Sequence, residues 1–344
     1  SYPIIESNGK KIYANQNEGM ISFDGNNFNV SFDKYSGSIY SLKYNNQDII
    51  QDGNGPKLDV FRAILDNDNW AAQNWVKLGL NDLHHKAKDY AFQKNMDGSY
   101  TLNFTIESPA YYSSTDGYTN YDREKTTTHN VTTDISKPLP ENGFKFTTYQ
   151  SWTIYPDGSI ALQCEITSND NSVVLPRLGY SMTLPCELGN YTYYGRGPIN
   201  NYNDRKTSQF IELYSSKIDS SYIMFPKPQD MGNREDVRWC ALTNNEGKGV
   251  MFIADGTMSI SALPWTDIQI AKAAHPYQLP KTNTTTLHLD AKVTGLGGNS
   301  CGQGGPLEKD RVKAKNTKFG FIIRPINDAS KENMIKCSKI QMSK

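Results

Sequence analysis

Across residues 27–42, polar and apolar side chains alternate on both sides of a break at Lys34-Tyr35-Ser36-Gly37. A period of two puts every second side chain on one face, as in a strand with one buried side. Two such runs around a short Gly-bearing turn predict a β-hairpin. The pattern returns at 146–155 and 159–167 around Pro156-Asp157-Gly158, and at 237–242 and 249–253 around Asn244-Asn245-Glu246-Gly247. Residues 99–106 and 285–293 read as further strands, and Phe319-Gly320-Phe321-Ile322-Ile323 as a strand buried on both faces. A chain written this way is all-β, and its hairpins call for antiparallel pairing.

Helical spacing is confined to residues 70–83, where Trp75 and Leu78 fall on one face and Asn67 or Asp68 is placed to cap. At most one or two short helices are expected. Residues 108–142 form a polar, Tyr- and Thr-rich excursion off the sheet. The Lys-rich stretch 327–344 reads as a polar tail, either a frayed terminus or a lone surface helix. No linker divides the 344 residues, so 1–326 is expected to be one large all-β domain.

Composition excludes several functions. Thirty-six basic and 36 acidic residues leave no net charge, so nucleic acid is not an expected partner. No apolar run approaches the ~20 residues of a membrane span. The chain opens on Ser1-Tyr2-Pro3 without an initiator Met or a signal-peptide pattern, as in a processed product or a piece of a longer polypeptide. Its compartment stays open between periplasm and cytoplasm. Five scattered cysteines without a CxxC read as buried or incidental thiols. His84 and His85 are adjacent and cannot both face one zinc, so they read as surface histidines. No phosphate loop, HExxH or GxSxG occurs. Asn245-Glu246 has the order found at some glycosidase acids, but a hairpin turn offers no desolvated pocket to hold a proton.

Two polar clusters remain. Phe61-Arg62-Ala63-Ile64-Leu65-Asp66-Asn67-Asp68-Asn69-Trp70 sets carboxylates and amides beside an indole, the inventory of a sugar site or of a capped helix start. Tyr194-Gly195-Arg196-Gly197-Pro198, running on to Asn201-Tyr202-Asn203-Asp204-Arg205, reads as a site or as a tight loop pinned by Arg–Asp pairs.

Taken in order, FRAILDND, YGRGPINNYNDR, PQDMGNREDVRW and GLGGNSC resemble the C-terminal domain of glycoside hydrolase family 2 β-galactosidases, a separate small chain in the heterodimeric enzymes. The resemblance implies the supersandwich fold also seen in galactose mutarotases. It further implies that both catalytic glutamates lie in a TIM barrel of ~250 residues, for which this chain has no room. No catalytic residue and no metal or other cofactor is therefore expected here; the magnesium and sodium of the family belong to the barrel. The implied partners are that barrel, as a domain or large subunit, and β-galactoside sugars. The implied rim residues are Asp66, Asn67, Asp68 and Trp70, then Asn299, Ser300 and Cys301. Trp70 stands where the family often has Gly, and offers a stacking face. Cys301 stands where some members place a stacking Trp. Arg62, Arg196, Asn201, Asp204, Arg205, Arg234 and Arg238 are expected to hold loops in place. The alternatives are a stand-alone carbohydrate-binding module and a mutarotase-like epimerase, the latter needing a His acid and a Glu base.

Overall fold

The computed structural model describes residues 10–111, 143–297 and 304–340. Every strand ladder among them is antiparallel. The chain starts as a five-stranded meander: β1 (Tyr13–Gln16), β2 (Met20–Gly25), β3 (Phe28–Asp33), β4 (Ile39–Tyr44) and β5 (Gln47–Asp48). Then come β6 (Lys57–Asp59), a 3-10 turn at Asp66–Trp70 and α1 (Ala72–Leu78). A hairpin run follows through β7 (Lys86–Lys94), β8 (Tyr100–Pro109), β9 (Lys145–Ile154) and β10 (Ile160–Ser168). Next are β11 (Val174–Leu175), β12 (Arg177–Pro185), β13 (Asn190–Gly197), β14 (Phe210–Lys217), β15 (Arg234–Thr243) and β16 (Gly249–Leu263). The order closes with α2 (Asp267–Lys272), β17 (Thr284–Val293), β18 (Val312–Lys313), β19 (Thr317–Ile326) and α3 (Lys331–Ser338).

The large sheet runs β14-β13-β15-β16-β19-β10-β9-β8-β7, and a branch leaves β16 through β17 and β12 to β6. β16 makes the corner. Its first half pairs with β19 and its second half with β17. Between the halves Asp255, Gly256 and Thr257 are exposed, and Gly256 takes φ +91°, a conformation that costs glycine little. The branch thereby folds over the main sheet. Tyr180 of β12 stacks on Phe319 of β19 at 6.3 Å and accepts a hydrogen bond from Gln150 of β9 at 3.0 Å. The meander covers the rest: Phe32 meets Trp152 at 5.5 Å and Phe104 at 6.3 Å, and Phe23 meets Phe92 at 6.1 Å. Phe23, Phe32, Phe104 and Trp152 are buried, and each contributes about 1.5–3 kcal/mol. The result is an all-β antiparallel sandwich, and the three sequence-predicted hairpins are β3–β4, β9–β10 and β15–β16.

Three local expectations change. Three short α-helices form among the described residues, α1, α2 and α3, where the sequence predicts at most one or two. The helix predicted over 70–83 is only α1, stopped by Gly79 at φ +79°. A Cβ there would sit 1.6 Å from the Tyr111 carbonyl oxygen, so neither fold nor space admits a side chain. Asp68 does not cap this helix; it is engaged by Arg62. The C-terminal stretch is not a lone surface helix. Met334 of α3 and the following Ile340 are buried against Trp239, Ile253 and Ile322 on the outer face of the sheet. Most of the 108–142 excursion lies outside the described residues.

Candidate functional site

Three of the four motifs, with the start of the fourth, converge on one end of the sandwich. Arg62 follows β6 and points inward. Its guanidinium donates to Asp68 at 3.1 and 2.6 Å, to the Gly295 carbonyl at 3.2 Å, and to the Thr294 carbonyl. Neither Arg62 nor Asp68 has exposed side-chain surface. A buried cation needs such a set, because each unpartnered donor would keep its desolvation cost. Burial works against the Arg62 charge, and Asp68, aided by Asp230 and Tyr202, more than restores it. Asp68 also accepts the Leu65 N–H at 3.0 Å, which folds the loop onto itself.

The segment after β13 is tied in the same way. Arg196 donates to Asp236 and to the carbonyls of Lys206 and Gln209. Asn201 is fully buried; its amide donates to the carbonyls of Arg196 and Ile199, both at 3.0 Å, and accepts the Glu235 N–H at 2.9 Å. Asp204 accepts the N–H groups of Leu296 and Gly297 at 2.9 and 2.8 Å on separate oxygens. That explains Gly295, whose Cβ would lie 2.5 Å from the Asp204 carboxylate. Arg205 is exposed and enters the loop through its backbone, which pairs with Tyr202.

The third motif supplies Arg234, which donates to the Tyr193 hydroxyl at 2.8 Å and to the carbonyls of Ser221, Gly232 and Asn233. Tyr202 donates to Asp230 at 2.5 Å, and Arg177 donates to the other Asp230 oxygen at 3.0 Å. Arg238 lies apart from this cluster. It donates to the Asp236 carbonyl at 2.5 Å, sits over Tyr194, and lines a groove of about 1190 Å³ between the outer sheet face and α3.

The expected rim residues divide. Asp66 and Asn67 are half-buried at the surface of the cluster; Asn67 donates to the Gly297 carbonyl at 3.3 Å and Asp66 pairs with Lys227 at 3.5 Å. Asp68, expected at the rim, faces inward with no exposed surface, because it neutralises Arg62. Trp70, expected to offer a stacking face, has its ring covered by the Arg311 guanidinium at 4.5 Å and approached by Gly305, where a Cβ would sit 2.6 Å from the ring. Asn299, Ser300 and Cys301 lie outside the described residues. Among the other sequence expectations, Glu246 is in an exposed turn and pairs with Lys248 at 3.2 Å. His85 is half-buried instead of lying free on the surface, bonds Ser108 at 2.8 Å, and has its pKa held down at about 4 by burial, then by Lys57 and His84. Cys164 and Cys240 are buried, whereas Cys186 is exposed.

Behind the loops lies a buried charge cluster that sequence reasoning missed. Arg177, fully buried, faces Asp230 at 3.0 Å and Asp267 and Asp290 at 3.8 Å each. His288 places Nε2 3.2 Å from Asp267 and Nδ1 3.7 Å from Asp59. Burial pushes the Asp290 carboxyl up to about 7 although Arg177 and His288 oppose it. The His288 imidazole is held above its ordinary pKa: burial and Arg177 work against its charge, and Asp267 together with Asp59 outweighs them. A cavity of about 220 Å³ opens beside it, lined among others by Asp59, Asp267 and His288. These three can offer one ligand atom each within 4.8 Å of one another. They are 208 and 21 residues apart in sequence, so no motif spacing signals them.

No described helix is long and apolar enough to cross a membrane. The β-galactosidase of Priestia megaterium is 26% identical over 301 residues, covering 88% of this chain and 26% of that protein. That of Lactobacillus delbrueckii subsp. bulgaricus is 28% identical over 309 residues, covering 89% and 27%. The chain thus spans about a quarter of the length of these relatives. A galactose 1-epimerase structure from Lactobacillus acidophilus aligns over 94% of this chain and 99% of its own at a TM-score of 0.48 and 7% identity, too distant to bear on function. The model of the beta galactosidase small chain matches residues 24–323, and the chain therefore belongs to the β-galactosidase small-chain family.

Proposed function

We propose that this chain completes a retaining family 2 β-galactosidase by packing on a catalytic TIM barrel and lending its loop cluster to the rim of the galactoside site. The observation that carries this is the cross-tying of motif loops from distant parts of the chain into one unit. Arg62 joins residues 62 and 294–295, and Asp204 joins 204 to 296–297. Preorganised loops of this kind suit a rim that must hold its shape when a substrate arrives. The side chains left at the surface, Asp66 and Asn67, are a carboxylate and an amide, groups that pair with sugar hydroxyls. Hydrolysis itself would fall to two carboxylates of the barrel flanking the scissile bond.

The test is complementation. The chain alone should leave a chromogenic β-galactoside uncleaved. Mixed with a β-galactosidase barrel chain that lacks this region, it should form a stable complex and restore turnover. Asp66→Asn and Asn67→Ala should then raise KM without preventing assembly. Turnover by the chain alone that survives repurification would overturn the reading, as would failure to associate with the barrel chain.

A further inference from the structure

We propose that Asp59, Asp267 and His288 form a binding site for a borderline divalent cation such as Zn2+, opening on the 220 Å³ cavity beside them. Three neighbouring elements deliver the ligands. Asp59 ends β6, Asp267 begins α2, and His288 lies in β17. β12 runs between β6 and β17, with Gly179 opposite both Asp59 and Asp290. A Cβ on Gly179 would lie 2.4 Å from an Asp290 carboxylate oxygen, so the glycine keeps room where the acidic groups meet.

Each carboxylate is oriented from behind. Asp59 Oδ1 accepts the Phe61 N–H at 3.0 Å, leaving Oδ2 toward His288. The Asp267 carboxylate accepts the Ala63 N–H, and its Oδ2 lies 3.2 Å from His288 Nε2. His288 Nδ1 has no hydrogen-bond partner although the residue is only 2% exposed. A buried ring nitrogen without a partner is rare, and this one lies 3.7 Å from Asp59 Oδ2. Second-shell bonds that fix the ligating oxygen are the usual companions of a metal site.

Charge points the same way. Asp230, Asp267 and Asp290 face the Arg177 guanidinium, whose shortest contact is with Asp230, and Asp59 faces His288. Lys57 also lines the cavity, but its ammonium reaches Asn54. With His288 ligating as the neutral imidazole, the four carboxylates outnumber Arg177 and Lys57 in a low-dielectric site, an arrangement that a divalent ion relieves. Two carboxylate oxygens and one imidazole nitrogen, with solvent from the cavity in the open position, suit a four-coordinate borderline cation.

The experiment is calorimetric titration of the chelator-stripped 344-residue chain with ZnCl2. One equivalent should bind and raise the melting temperature. Asp59→Asn, at a half-buried position, should weaken binding by more than the ~10–100-fold typical of losing a second-shell partner. His288→Gln should do the same, and Cys186→Ser should leave binding unchanged. A Co2+-loaded sample should show d–d bands without thiolate charge transfer. Absence of stoichiometric uptake would overturn the site in favour of a doubly protonated His288 bridging the two carboxylates. Uptake unchanged in Asp59→Asn, or lost in Cys186→Ser, would overturn it equally. None of these readouts depends on galactoside turnover.

Discussion

Arg62 and Asp68 meet through two N–H···O contacts of 3.1 and 2.6 Å with neither side chain exposed. Removing one charge leaves the other buried and uncompensated. Asp68→Asn should therefore destabilise the chain by about 3–5 kcal/mol. Urea unfolding followed by tryptophan fluorescence measures this, because Trp75 lies under the Arg62 guanidinium at 5.7 Å. A change below about 1 kcal/mol would mean that the pair contributes no more than a surface salt bridge does.

Asp204 holds two backbone amides, and its loss should be read at those amides. Charge-assisted hydrogen bonds contribute about 1.5–3 kcal/mol, which corresponds to roughly tenfold to hundredfold in a local opening equilibrium. Hydrogen exchange of Leu296 and Gly297 in Asp204→Ala should accelerate by that factor, while the β8–β9 ladder keeps its protection. Unaltered exchange at both amides would show that the loop is held elsewhere.

His85 gives the fold an acid sensitivity. Its pKa is held near 4 against an ordinary 6.5, so below 6.5 the unfolded chain binds a proton that the native state refuses. This contribution to stability is complete above pH 6.5 and is lost progressively as pH falls toward 4, with a slope approaching 1.4 kcal/mol per pH unit. His85→Gln should flatten that part of the stability–pH curve. An identical slope in both proteins would assign the acid sensitivity to other groups.

The segment after β19 should be required for a covered outer face. Ending the chain at residue 327 would remove Met334 and Ile340 and expose Trp239 and Ile322, which are 4% and 2% exposed in the full chain. The shortened chain should bind a hydrophobic dye and melt at a lower temperature. An unchanged melting curve would show that α3 is dispensable for packing.

What could be read from the sequence follows from which interactions are local. The β9–β10 hairpin is written in adjacent residues: alternation on both arms and Asp157 and Gly158 at the turn. β7 was not legible, because this strand at one end of the large sheet has no residue below the half-buried range and so no apolar face to alternate. β13 was hidden for another reason, its inward positions being Tyr191 and Tyr193, which a polarity pattern counts as ambiguous. The motif loops could be recognised, yet the sequence did not show that Asp68 serves Arg62 or that Arg311 covers Trp70. Those pairings are made by the fold, across 6 residues in one case and 241 in the other.

β19, which follows every other described strand in chain order, lies between β10 and β16 in the middle of the large sheet. A nascent chain that has emerged only as far as residue 316 therefore holds two incomplete half-sheets. Each ends on a long, apolar, unpaired strand, and such edges recruit strands from neighbouring molecules. Cooperative closure has to wait until the ribosome has released the segment Thr317–Ile326 from its tunnel. Until then the growing polypeptide depends on dilution or on holding factors, and a message truncated upstream of that segment would yield aggregate in place of a smaller domain.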